Sequence, residues 1–196
     1  MRSLVAGPFA AAVLTLTDWS AALAQPTPAP AGDAEMTRIY HADQAARQGD
    51  NIDWSKIGPA DALRREATRK LLAAGRLKTA ADFNHAAFVF QHGGETGDYL
   101  LAHTLAMVAV GKGDPSSLWI ASATLDRYLM TIGQKQIYGT QYRWSDEREL
   151  WSQEPYAPAL IPDSLRSAIG VPVRAAQQER LRGMNADPGA AGAAKR

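Results

Sequence analysis

The chain has no cysteine. That excludes disulfides, thiolate catalysis, thiolate zinc sites and a lipid-modified cysteine at a processed N-terminus. Charge of either sign in excess is also lacking: 21 lysines and arginines face 20 aspartates and glutamates in 196 residues. No net field therefore draws it to nucleic acid or to an anionic membrane. Basic pairs such as Arg64-Arg65 and Arg69-Lys70 alternate with Glu66 and read as a solvated helix face. No apolar run is long enough for a permanent membrane anchor. A nucleophile elbow, a phosphate loop and a His-Glu-x-x-His pair are all missing, so no cofactor is implied. No series of alternating segments exists from which to build a sheet, which leaves an all-α class. The length suits one domain with a real core.

What is present begins with a targeting segment. Arg2 is a short positive start, Leu4 to Thr17 is apolar and small, and Ala22-Leu23-Ala24 offers the small-x-small pattern of signal-peptidase sites. Residues 1–24 therefore read as a signal peptide cleaved near Ala24, with a periplasmic or secreted destination. Residues 25–32, with Pro26, Pro28 and Pro30, form an extended linker, and 33–184 a helical domain. The Ala- and Gly-rich end from Asn185 reads as a frayed tail.

The spacing predicts a single bundle of five to six helices. Asp33 caps the first, to about Gln48, with Met36, Ile39 and Tyr40 on one side. Asp43 and Arg47 on that side are four apart and read as a surface ion pair. After a loop carrying Trp54, Pro59 suits the first turn of a second helix with a stripe of Leu63, Ala67, Leu71 and Ala74, ended by Gly75. Thr79 and Asp82 form a capping box for the third, to about His92. The fourth, near Asp98 to Val110, is apolar almost all round, as a central helix is. Asp114 and Pro115 open a fifth, to Ile132, with a core stripe of Leu118, Ala121, Leu125, Tyr128 and Ile132. A Gln- and Tyr-rich loop or short strand follows at 134–142, then irregular coil, then a last helix from Leu165 to Arg182.

Chemistry concentrates in few places. His85 and His92 lie seven apart, roughly 10 Å along a helix axis, too far for an i, i+4 zinc clamp. His103 sits within the fourth helix and reads as a hydrogen-bonded core histidine or as a ligand-binding group. A metal held by His92, His103 and Glu95 or Asp126 lacks any recognisable ligand spacing. Asp126-Arg127 places two opposite charges in an apolar helix. A buried carboxylate needs donors, so Asp126 either receives a structural partner or is held to act on a ligand. The loop 134–141 packs Gln134, Gln136, Gln141, Tyr138 and Thr140 together. Those amides could read a polar ligand or satisfy helix-end carbonyls.

The succession Gln91-His92, Leu125-Asp126-Arg127 and Gly133-Gln134-Lys135-Gln136-Ile137-Tyr138-Gly139-Thr140-Gln141 resembles a family of bacterial helical domains of unknown function. Those domains carry a Q-H pair, a D-R pair and a G-x-x-Q-x-Y-G-T-Q segment in that order. The resemblance covers about Ala80 to Gln141. Asp43, Gln44 and Arg47, with Asp61, Arg64 and Arg65, resemble the same family less specifically. Relatives often continue Q-H with Ala-Asp, whereas this chain has Gly93-Gly94-Glu95. The resemblance names positions and implies no chemistry.

Two classes of function follow. In one, His92 and Asp126 are catalytic, base and orienter. Arg127, Gln136, Tyr138, Gln141 and His103 bind a small polar ligand, such as a peptide or cell-wall fragment. Asp43, Arg47, Asp61 and Arg65 form a structural network. In the other, the chain is a repeat-like interaction module, although no period recurs three times.

Overall fold

A computed structural model describes residues 31–48 and 52–187. The expected signal peptide and nearly all of the linker lie outside the described residues, as do 188–196 of the expected tail. The order is α1 (Ala34–Ala45), α2 (Trp54–Ala73), α3 (Ala80–Phe90), α4 (Thr96–Gly111), α5 (Ser117–Thr131), β1 (Arg143–Ser145), β2 (Leu150–Ser152), α6 (Asp163–Ala168) and α7 (Arg174–Ala186). The class is all-α, with a loop and a short antiparallel hairpin after the fifth helix. No helix of the described residues is long and apolar enough to cross a membrane.

Capping chemistry sets two of the starts. The Asp33 carboxylate accepts the Met36 N–H at 2.9 Å and opens α1. Thr79 Oγ1 accepts the Asp82 N–H at 3.1 Å, and Asp82 takes the Thr79 N–H at 2.8 Å, closing the capping box of α3. The same carboxylate accepts the N–H groups of Lys78 and Asp33, tying the entry of α3 to that of α1.

The core gathers Met36, Ile39, Leu71, Leu77, Val89, Phe90, Leu105 and Ile120 around small residues such as Ala86, Ala87, Ala102 and Ala106. Alanines at the contacts let helix axes approach closely. The central helix is α3, which packs on α1, α2, α4 and α5. The expectation that α4 is central is corrected: Leu100, Met107 and Val108 remain exposed on its outer side.

Other expectations shift for local reasons. Helix α2 starts at Trp54, capped by Asp53, and carries Pro59 inside it. A proline without its N–H is tolerated near a helix start, so it marked the first turns and not the first residue. The inward side of α2 is Ile57, Asp61, Thr68 and Leu71, while Leu63 of the expected stripe is exposed. In α5 the buried face is Ser117, Ile120, Ala121 and Thr124, and Ile132 is exposed. The expected last helix is divided into α6 and α7, where Gly170 at φ +71° and Pro172 break it. Asn185 belongs to α7 and is not frayed: its side chain accepts the Trp151 N–H at 2.7 Å and donates to the Trp151 carbonyl at 3.1 Å. It pins the hairpin, whose Trp144 and Trp151 rings meet edge to face.

Candidate functional site

Asp126 is wholly buried near the end of α5, aimed at the loop that follows. Its carboxylate accepts four hydrogen bonds: from the N–H groups of Ile137, Tyr138 and Thr140 at 2.8, 3.0 and 2.9 Å, and from the Thr140 hydroxyl at 2.8 Å. Of the two readings open for this residue, the geometry supplies the loop's backbone amides. Gln136, also fully buried, braces the loop from within: its Oε1 accepts the Gln141 N–H, and its Nε2 donates to the carbonyls of Gln141 and Gln153. Gly139 turns at φ +75°, and a methyl there would meet Gln177 Oε1 and the Tyr156 hydroxyl at about 2.5 and 2.6 Å. Burial, and then Asp126, raise the Tyr138 phenol above its ordinary pKa. The Tyr138 carbonyl accepts from Gln177 and Arg166.

His92 stands elsewhere. Its Nδ1 lies 3.0 and 3.2 Å from the two Asp43 oxygens, and Asp43 is fully buried. The imidazole is thus oriented by Asp43 on α1, and not by Asp126. Arg47 donates to Asp43 and to Asp61, and Arg64 donates to Asp61 at 2.7 Å. The expected surface pair of Asp43 and Arg47 is therefore part of a chain of charges in which the two carboxylates, on α1 and α2, are buried and Arg47 and Arg64 are partly exposed. Arg65 donates to the His92 carbonyl at 2.9 Å, and with Arg69 it pairs with Asp98 on α4. His103 uses Nδ1 toward the Ala121 carbonyl at 2.9 Å, joining α4 to α5.

The Tyr99 hydroxyl donates to the Gly93 carbonyl at 2.7 Å, next to His92. Tyr99 also lies beside Arg127, whose charged form it favours. A cavity of about 240 Å³ opens beside them, lined by Tyr99, Arg127, Met130, Thr131, Gln141, Tyr142 and Arg143. Most arginines of the helical core, namely Arg47, Arg64, Arg65, Arg69 and Arg76, meet a carboxylate. Among the described residues Arg127 and Arg143 have none, and Arg127 Nε is buried without a hydrogen-bond partner. Burial pulls the Arg127 guanidinium below its ordinary pKa, Tyr99 opposes this, and nearby Arg143 and Arg47 add to the lowering. An arginine stays protonated in proteins, so the site holds a partly desolvated cation. Arg180 lies over the Tyr142 ring at 5.0 Å and adds positive charge behind the wall.

The chain matches no family model, no curated protein and no solved structure.

Three separated segments thus meet in part. Arg127 and Gln141 share the cavity, and Tyr99 links it to the turn of His92 and Gly93. Asp126, Gln136 and the Tyr138 backbone are turned inward to build the loop. Among the described residues no three histidines, aspartates or glutamates are grouped to hold a metal ion. Sequence reasoning missed Tyr99, Tyr142 and Arg143. Tyr99 passed as an apolar helix residue, although a phenol in an otherwise apolar helix asks for a polar partner.

Proposed function

We propose that this is an exported helical protein whose cavity beside Arg127 binds a small anionic polar ligand, most simply the carboxylate of a peptide or cell-wall fragment. The observation that carries it is the Arg127 guanidinium, with its Nε buried and unpartnered, lining one opening beside the exposed Arg143 without a carboxylate. Burying a cation is costly unless an anion or several acceptors meet it, and a planar guanidinium takes a carboxylate through two parallel hydrogen bonds. Gln141 and Tyr142 add neutral groups that can discriminate the rest of the ligand. The order of the Q-H, D-R and Y-G-T-Q segments supports placing the chain in the helical family it resembles.

The test is a thermal-shift and calorimetric titration of residues 25–196 with glutarate, the dipeptide Ala-Ala and inorganic phosphate at low salt. Saturation at about a hundred times Kd adds about 2.7 kcal/mol, a rise of several degrees in Tm. Arg127→Gln and Arg143→Gln are each expected to weaken binding at least about tenfold. A wild-type protein that none of these anions stabilises would end this reading.

The second reading, a repeat-like interaction module, is favoured by the exposed Leu100, Met107 and Val108 of α4. It predicts self-association or partner capture lost in the double variant Leu100→Ser, Met107→Ser, with anion binding unchanged.

A further inference from the structure

We infer that Asp43 and His92 form a proton-transfer pair, in which His92 Nε2 activates water against the acyl group of an amide or ester that also bears a carboxylate. The substrate's class rests on the anion-binding reading above; the pair itself rests on different residues. His92 Nδ1 is taken up by Asp43, while Nε2 has no hydrogen-bond partner among the described residues and is not sealed off: the side chain keeps 17% of its surface in solvent. The turn that carries the ring is fixed from three sides. Arg65 on α2 holds the His92 carbonyl, Tyr99 on α4 holds the Gly93 carbonyl, and Asp43 on α1 holds the imidazole. Gly93 itself packs so closely on Asp98 that any side chain would overlap it. Asp43 is in turn fixed by Gln44 at 2.8 Å and by Arg47. A histidine needed only for packing does not require its carboxylate and both neighbouring carbonyls held while one ring nitrogen faces water. A buried carboxylate on Nδ1 and a free Nε2 are the arrangement that sets the tautomer for a general base.

The step balances without an oxidant. Nε2 takes a proton from water as the water oxygen bonds to the acyl carbon. The carbon–nitrogen or carbon–oxygen bond then breaks, its electron pair leaves with the departing atom, and the Nε2 proton passes to that atom. Acid and amine, or acid and alcohol, are the products. Arg127 and Arg143 hold the carboxylate that the substrate carries elsewhere.

The probes are the mono-p-nitrophenyl ester of glutaric acid and p-nitrophenyl butyrate, its uncharged counterpart. His92→Gln is expected to lower kcat at least about a hundredfold on the glutarate ester, with Tm and glutarate binding unchanged. Arg127→Gln is expected to raise KM for that ester alone. Asp43→Asn tests the positioning role: it moves the acid limb of the pH–rate profile, which simple destabilisation does not. Should Asp43→Asn fail to fold, ring ¹⁵N shifts of the wild type decide the same point by showing Nδ1–H with Nε2 unprotonated. A wild-type protein that cleaves neither ester, or a His92→Gln variant as fast as wild type, overturns the inference while leaving glutarate binding to stand or fall separately. His92-dependent cleavage of both esters without glutarate binding keeps the pair and removes the anion site.

Discussion

At the residue scale, Asp126 and Arg127 are neighbours in sequence with opposite tasks. The carboxylate faces the loop and accepts four hydrogen bonds, while the guanidinium lines the cavity with no carboxylate partner among the described residues. Asp126→Asn keeps the shape but turns one acceptor into a donor aimed at backbone N–H groups. At least one buried donor then goes unpaired, and the variant should lose about 3 kcal/mol of stability in urea denaturation. Amide exchange at Ile137, Tyr138 and Thr140 should accelerate more than elsewhere. A variant as stable as wild type would show that those bonds contribute nothing net. The sequence displayed Asp126 plainly, as a charge inside an apolar helix. Its partners stayed hidden because backbone amides belong to every residue and leave no mark in side-chain patterns. His92 shows the same limit from another side: its partner Asp43 is 49 positions away on α1. Only packing could choose that carboxylate over Asp126.

At the element scale, what was legible is what is local. The start of α1 at Asp33 and that of α3 at Thr79 follow from side chains within one turn, and both sit where the pattern put them. The face each helix buries is decided by its neighbours, and there the stripes of α2 and α5 hold only in part: Ala67, Leu71 and Ala121 reach the core, while Leu63, Ala74 and Ile132 are exposed. Helix α2 turns Asp61 inward and leaves Leu63 in water because Arg47, in the turn after α1, supplies the counter-charge. Asp82 shows how far a local cap reaches. Its desolvation works to raise the carboxyl's pKa, but the N–H groups of Thr79, Lys78 and Asp33 outweigh it and hold the pKa below the ordinary 3.8. A folded pKa below the unfolded one means that stability is present above pH 3.8 and is lost as the pH falls through the lower folded value. Asp82→Asn should therefore cost about 1–2 kcal/mol at neutral pH and flatten the acid limb of the stability curve below about pH 4. Urea midpoints measured across that range check the sign; a variant whose acid limb matches wild type would assign the acid sensitivity to other carboxylates.

At the scale of the whole molecule, two parts meet across one loop. Helices α1 to α5 share the apolar core, whereas the hairpin, α6 and α7 lie on the loop that Asp126 and Gln136 shape. Arg166 is the join. It is fully buried, and its guanidinium donates to the carbonyls of Ile161, Tyr138, Ile137 and Pro158. Its one carboxylate, Asp163, lies 3.6 Å away and is half exposed. Arg166→Met keeps apolar volume but leaves the Ile137 and Ile161 carbonyls without their donor, while those of Tyr138 and Pro158 keep Gln177 and Arg174, and the loss should come to about 3 kcal/mol. That loss should fall unevenly. None of the core contacts among α1 to α5 passes through Arg166, so hydrogen exchange should open residues 137–186 while α3 and α4 stay protected. Gln141, Tyr142 and Arg143 line the cavity beside Arg127 from the opened side. Glutarate affinity should therefore fall in Arg166→Met, although Arg166 does not line the cavity, and saturating glutarate should restore part of the lost protection by mass action. If protection is instead lost uniformly through α3 and α4, the chain unfolds as one unit, and the loop is part of the core that holds it.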